Sequence, residues 1–229
     1  MKALFTDFYG TLVREDSPVS VGVATRIYKS SNAKSFDEVV VYWWKEYRKR
    51  IAQACGQHWQ LQQDLALGTL ENVLAHFESD ENAIELRDAM NVHWSNPLIF
   101  DDAKRFLDGV LCLNIPVYFV TNSDDIYITE SMKLHGLTCV DIITSERARY
   151  SKPRPEIFQF ALDTLGLMAK DVVHIGDSLE SDVTCPSSLG IQAILLNREG
   201  AAVPSDVLSV ANLDEALQVI RTLCMPPVG

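Results

Sequence analysis

Short apolar runs punctuate the chain at residues 3–6, 115–121, 140–144, 172–175 and 192–196. Most are continuous rather than alternating, the pattern of strands buried on both faces of a parallel sheet. Between the later runs the period becomes helical. In 101–113, Ala103, Phe106, Leu107, Val110 and Leu111 fall on one side. In 155–167 a proline opens the first turn, Gly166 closes the last, and Phe158, Ala161, Leu162 and Leu165 form the stripe. A final helix is expected over 213–223, with Asn212 as its N-cap. This alternation predicts an α/β fold built on a doubly wound parallel sheet.

Residues 15–98 break the rhythm, because nothing in them reads as a strand. Ser35-Phe36-Asp37-Glu38 has the form of a capping box, and Val40, Trp43, Trp44, Tyr47, Ile51 and Ala54 follow at helical spacing. Leu67, Leu70, Val73, Leu74 and Phe77 form a second stripe, and 84–94 reads as a third helix. The expected organisation is a core of residues 1–14 and 99–229 with an all-helical insertion at 15–98. Asn96-Pro97 is the expected return hinge, since a residue before proline resists helix.

A chain of 229 residues suffices for one large domain or two modest ones. At 47% hydrophobic and 22% charged residues the composition is that of an ordinary soluble globular protein. A formal charge of −11 argues against a nucleic-acid binder and leaves any anionic substrate dependent on local cations. Five cysteines without metal-type spacing read as reduced thiols, and the first apolar run is too short for a signal peptide. No run approaches a membrane span. The expectation is a cytoplasmic protein acting on a small molecule, with no nucleic-acid or membrane partner; monomer and homodimer both remain open.

The chemistry-bearing residues gather at strand ends. Asp7 closes the first run and opens Asp7-Phe8-Tyr9-Gly10-Thr11, where open α/β sheets hold their ligands. Thr121-Asn122-Ser123 ends the second run, Lys152 sits in Ser151-Lys152-Pro153, and Gly176-Asp177 with Asp182 follows the run at 172–175. Four signals in this order resemble the haloacid dehalogenase superfamily across nearly the whole chain. The resemblance implies a Rossmann-like core with a helical cap, and a site between them. It implies Asp7 as nucleophile of a covalent aspartyl intermediate. Gly10 permits the tight turn beside the substrate, and Thr11 bonds within the loop. Thr121, with Asn122 and Ser123, receives the substrate, and Lys152 neutralises charge at Asp7 and in the transition state. Asp7, the Tyr9 backbone carbonyl, Asp177 and Asp182 form an oxygen-rich set suited to Mg²⁺.

Tyr9 is the departure. Phosphatases of the superfamily carry a second aspartate there as general acid, a role worth roughly 10²–10⁴-fold. An unperturbed phenol, with a pKa of about 10, is a poor substitute. The 2-haloacid dehalogenases carry tyrosine at this place, and their halide leaves without a proton. The last motif, Gly176-Asp177 with Asp182, is instead of the metal-binding phosphatase type. The expected activity is a Mg²⁺-dependent phosphatase for a small phosphorylated metabolite. Metal-independent 2-haloacid dehalogenation and a catalytically weakened binding protein are the alternatives. Arg48, Lys49 and Arg50 in the insertion, and Arg147, Arg149 and Tyr150 before Lys152, are further candidates for substrate contact. His174 is expected as a hydrogen-bonded core residue.

Overall fold

The computed structural model describes residues 1–224, so the end of the 99–229 segment, residues 225–229, lies outside it. Strand β1 (Ala3–Thr6) occupies the middle of a six-stranded sheet. It pairs in parallel with β2 (Val117–Thr121) on one side and β4 (Val172–Gly176) on the other. Beyond β2 lies β3 (Asp141–Thr144); beyond β4 lie β5 (Gln192–Leu196) and the two-residue edge strand β6 (Ser209–Val210), all parallel. The chain winds outward from β1 in one direction and then, from β4, in the other. The topological switch point therefore falls between β1 and β4, where such sheets open a crevice.

The continuous apolar runs are explained by what covers the sheet. Leu4 and Phe5, adjacent and fully buried, face opposite layers. Leu4 joins Phe8, Phe119 and Ile175 beneath α5 (Ala103–Leu111) and α10 (Leu213–Cys224). Those helices approach closely at Gly109, where a Cβ would stand 2.4 Å from Leu217 Cδ2. Phe5 joins Val120, Ile143 and the Phe158 face of α8 (Glu156–Leu165) on the other side. Asn212 caps α10 as expected, its Oδ1 accepting the Glu215 amide at 2.9 Å.

Between β1 and α5 lie α1 (Pro18–Lys29), α2 (Phe36–Gln53), α3 (Gln62–His76) and α4 (Ala83–Ser95). They share a separate apolar cluster including Val23, Ile27, Val39, Leu70, Val73, Phe77 and Leu86. The two connections to the sheet lie side by side: Val13 bridges Ile99, and the Arg14 amide donates to Leu98 O at 2.7 Å. Among the described residues no helix is long and apolar enough to cross a membrane.

Several details differ from the periodicity. The α2 helix is rotated so that Val39 and Glu46 are buried while Trp44 is 42% exposed. Glu46 is accommodated because Asn72 of α3 donates to its carboxylate at 3.3 Å. The capping box is half formed: Ser35 accepts from Glu38 N, but Glu38 reaches back to Lys34 N. The edge strand β6, α6 (Asp125–His135) and α7 (Ser145–Ala148) carry no apolar run long enough to announce them. In α6, exposed Ile126 and Leu134 blur the stripe that buried Tyr127 and Ile128 define.

Candidate active site

The carboxyl ends of β1, β2 and β4 bring four of the sequence-selected residues together. Asp7 is held at the end of β1 by its own amide, which donates to Ile175 O of β4 at 2.8 Å. The chain then folds back on itself, with Leu12 and Val13 amides donating to Phe8 O and the Gly10 amide donating to Val13 O. Gly10 adopts φ +85, and a Cβ there would lie 2.4 Å from Asp177 Oδ2. Only glycine lets this loop lie against the Asp177 carboxylate.

Lys152 is 4% exposed, and its Nζ donates to both Asp7 Oδ1 and Asp182 Oδ1 at 2.6 Å. Its backbone is clamped by the Asn122 side chain, which accepts from Lys152 N at 2.7 Å and donates to Lys152 O at 2.9 Å. Asp182 is fixed further by His174 Nε2, at 3.0 Å, and by the Ser178 amide, at 3.0 Å. The π-helical turn Leu179–Thr184 swings Asp182 back beneath Gly176, where a Cβ would collide with its side chain. Pro186 then opens the short helix α9 (Cys185–Ser187). Thr11, fully buried, places its hydroxyl 3.4 Å from both Asp7 Oδ2 and Asp177 Oδ1.

The electrostatics follow from three carboxyls around one lysine. Asp182, doubly bonded to cation and imidazole, is driven far below the usual carboxylate range by Lys152, against the cost of its burial. Lys152 is held above its usual value, its two carboxylate partners outweighing desolvation. Asp7 is pushed up to about 7 by burial, with Asp182 and Asp177 adding repulsion that Lys152 only partly offsets. Asp177 opens onto the cleft yet is ringed by protein, which lifts it to about 7 with help from Asp182 and Glu15. Ligand oxygens of Asp7, Asp177 and Asp182 can all lie within 4.8 Å of one another. An all-oxygen set with surplus negative charge fits a hard divalent cation.

Tyr9 makes no hydrogen bond to the three carboxyls. Its hydroxyl donates to Trp94 O of α4 at 2.8 Å, and burial holds the phenol well above its usual pKa. Thr121 is buried at the tip of β2, level with Thr144. Ser123, expected among the substrate-binding residues, has its hydroxyl committed within the protein. The hydroxyl is fully buried and donates to Asp124 O at 3.0 Å, because the loop after β2 turns inward there. Three of the cationic candidates have other partners. Arg147 pairs with Asp141, and Arg149 lies 4.8 Å over the Trp59 ring. Lys49 pairs with Glu46, Arg50 packs over Gly68, and Arg48 is exposed.

With this geometry in view, the relatives can be compared. A family model described as haloacid dehalogenase-like hydrolase matches residues 1–187. The chain belongs to the haloacid dehalogenase-like hydrolases. It is 32% identical over 201 residues to haloacid dehalogenase-like hydrolase domain-containing protein 3 of Danio rerio, covering 80% of this chain and 72% of that protein. Ribulose-1,5-bisphosphate 5-phosphatase of Halopiger xanaduensis is 29% identical over 122 residues, about half of each chain (51% and 50%). Among solved structures, a dehalogenase superposes with a TM-score of 0.77 over 96% of both chains at 19% identity, a likeness of fold. The protein is a hydrolase of this family.

Three site neighbours escaped the motif reading of this haloacid dehalogenase-like chain. Arg198, after β5, donates to Thr11 O at 3.0 Å while pairing with Asp102 through both nitrogens at 2.9 Å, so it braces the first loop. Glu15 sits on the outgoing connection; its backbone oxygen accepts from His93 Nε2 at 2.9 Å. Its side chain is exposed to solvent, and the protein packed near it, then Asp7, raises its carboxyl above the usual range. Asp124, 1% exposed, reaches from the loop after β2 to the insertion. Lone acids and arginines in loops give no periodic signal, so only the fold reveals them.

Proposed function

We propose that this protein is a Mg²⁺-dependent phosphatase acting on a small phosphorylated metabolite through a covalent intermediate on Asp7. The observation that carries the reading is the cluster of Asp7, Asp177 and Asp182 around Lys152, with more negative charge than its lysine balances. The match to a phosphatase over half the chain supports it. Asp7, Asp177 and the Tyr9 carbonyl would hold Mg²⁺, with Asp182 contacting it through water. When bound, the ion supplies positive charge that neutralises phosphoryl oxygens beside the nucleophile. The Thr121 hydroxyl and the Asn122 backbone N–H receive those oxygens. An Asp7 oxygen attacks phosphorus, the bond to the ester oxygen breaks, and the leaving group departs with the electron pair. Water then attacks the aspartyl-phosphate, releasing phosphate and restoring the carboxylate. Lys152 orients Asp7 and lowers its affinity for a proton. Phosphate release that requires Mg²⁺ and stops with chelator tests the reading; turnover indifferent to chelator overturns it.

The carboxyl shifts fix a pH dependence. Asp7 and Asp177, raised to about 7, must lose their protons for the metal to bind. A raised acid pKa in the folded state means stability falls as pH rises from about 4 to about 7, and the cation removes that cost. The rise in melting temperature on adding Mg²⁺ is therefore expected to be larger at pH 8 than at pH 6. Asp177→Asn is expected to abolish it. Thermal unfolding across pH, with Mg²⁺ and with chelator, reads both. An equal increment at the two pH values contradicts the assignment.

Metal-independent dehalogenation is favoured by one specific observation: Tyr9, bound to Trp94 O, offers no acid beside Asp7. Halide release from 2-chloropropionate in chelator would establish that chemistry. For a phosphatase lacking the acid, the rate is expected to fall as the leaving group becomes more basic. An aryl phosphate is then cleaved faster than an alkyl phosphate, and Tyr9→Asp narrows the ratio by about 10-fold or more. An unchanged ratio means that proton delivery does not depend on position 9, and Glu15 becomes the group to test.

A further inference from the structure

His174 stands in the middle of β4, in register with Phe5 of β1 on one side and Ala193 of β5 on the other. It is fully buried, and its ring meets the Phe158 ring of α8 edge-on, with centroids 4.8 Å apart. A polar group buried among apolar neighbours is costly unless it is hydrogen-bonded, and an aliphatic side chain would suit this layer better. The partner of His174 is Asp182, whose Oδ1 lies 3.0 Å from Nε2. Nδ1 has no hydrogen-bond partner. Burial lowers the imidazole pKa and keeps the ring neutral. An ionised carboxylate can only accept, so the ring proton sits on Nε2.

The pleat of β4 builds this contact. Residues 174 and 176 project to the same face of the strand. Gly176 has no side chain there, and a Cβ would stand 2.3 Å from Asp182 Cγ. The vacated space admits the Asp182 carboxyl, which meets His174 across it. Asp182 Oδ1 then takes two donors, His174 Nε2 and Lys152 Nζ, while Oδ2 takes the Ser178 amide. Lys152 Nζ continues to Asp7 Oδ1 at 2.6 Å. The contacts run in one line from the sheet interior to the nucleophile: His174, Asp182, Lys152, Asp7. Without the imidazole, Oδ1 keeps only the lysine, and the carboxylate is free to turn about its Cβ–Cγ bond. An ammonium on a flexible stem follows it.

We propose that His174 is a positioning residue: by donating to Asp182 Oδ1 it fixes that carboxylate, and through it aims the Lys152 ammonium at Asp7. The inference rests on Asp7 as the attacking group, and it holds whether phosphate or halide is released. Partners that orient a charged group from behind in this way are worth about 10–100-fold in activity.

Two amides of different reach test it. Glutamine can set its Nε2 donor near the place of the imidazole Nε2, whereas asparagine is one bond shorter and does not reach Asp182. Both bury a neutral amide against Phe158, so a loss of packing strikes them alike. His174→Asn is expected to lower kcat by about 10–100-fold with KM little changed. The substrate is p-nitrophenyl phosphate with Mg²⁺ or 2-chloropropionate in chelator, whichever wild type turns over. His174→Gln is expected to recover most of that kcat. Equal activities in the two variants, or a loss confined to KM, overturns the proposal. Nitrogen NMR of the full chain gives a reading free of turnover. Wild type is expected to carry the ring proton on Nε2 and to show a Lys152 ammonium signal slow to exchange with water. That signal is kept in His174→Gln and lost in His174→Asn. If wild type releases neither phosphate nor halide, the reading of Asp7 has failed, and the NMR signals alone judge the positioning. If His174→Asn does not fold, the ring proton of wild type and the Lys152 signal of His174→Gln judge it. A ring proton on Nδ1 alone, or a Lys152 signal lost in His174→Gln or kept in His174→Asn, overturns it.

Discussion

Asp7→Asn is expected to reduce turnover by more than about 10³-fold, beyond what the loss of a single stabilising donor costs. The amide is nearly isosteric, so the loop from Phe8 to Val13 keeps its hydrogen bonds and Gly10 keeps its fit against Asp177. What is lost is the nucleophilic oxygen. The fold should not suffer. Asp7 carries an ionisation that burial opposes, and Asp182 still pairs with Lys152 when it is gone. The melting temperature in chelator at pH 8 is expected to stay level or rise, because the variant removes one of three crowded carboxylates. Steady-state kinetics and thermal unfolding on the same preparation separate chemistry from folding. Residual turnover above about a tenth of wild type is incompatible with a covalent intermediate on this residue. A collapsed melting temperature would show instead that Asp7 is chiefly structural.

The sheet was legible because burial on both faces writes itself as unbroken apolar sequence. The runs at 3–6 and 192–196 coincide with β1 and β5, and β2, β3 and β4 fall within a residue or two of theirs. Edge strand β6 pairs over two residues, too short to leave a pattern. In α2 the apolar stripe misled, since Glu46 points inward where Asn72 meets it and Trp44 points out. Periodicity reports hydrophobicity, and a paired polar residue in a helix interior lies outside its reach. The site divides the same way. Asp7, Lys152, Asp177 and Asp182 lie at strand ends or in motif spacing and converge within hydrogen-bond or ligand distance. Arg198, Glu15 and Asp124 come from loops far apart in sequence. Their meeting depends on how the insertion folds back onto the sheet, which no local pattern encodes. Ser123 shows the converse: it lies in the motif, yet the turn after β2 buries its hydroxyl.

Lys152→Met is expected to be the most damaging substitution for the fold itself. Lys152 is the cation between two buried carboxylates, each 2.6 Å away. Methionine fills much of the same volume but leaves Asp7 and Asp182 facing each other without compensation. Removing one partner of a buried pair costs about 3–5 kcal/mol, because the remaining charge stays desolvated. Part of that cost is recoverable. Asp7, already lifted to about 7, takes up a proton more readily once the lysine is gone, so the loss is expected to shrink as pH falls from 8 to 6. A divalent cation offers a second recovery, since the variant presents three carboxylates with no competing ammonium. Mg²⁺ is therefore expected to raise the melting temperature of Lys152→Met by more than it raises that of wild type. Activity does not return with the fold, because an ion held among the carboxylates does not replace the ammonium on Asp7. With saturating Mg²⁺, kcat is expected to remain down by about 10²–10³-fold. Lys152→Arg does not rescue it, since a planar guanidinium has no room to bridge two oxygens at the spacing a compact ammonium spans. Denaturant unfolding at pH 6 and pH 8, with and without Mg²⁺, gives the four values that decide it. A destabilisation unaffected by both proton and metal would mean that Lys152 acts through packing, and that the carboxylate cluster is not the site of surplus negative charge described above.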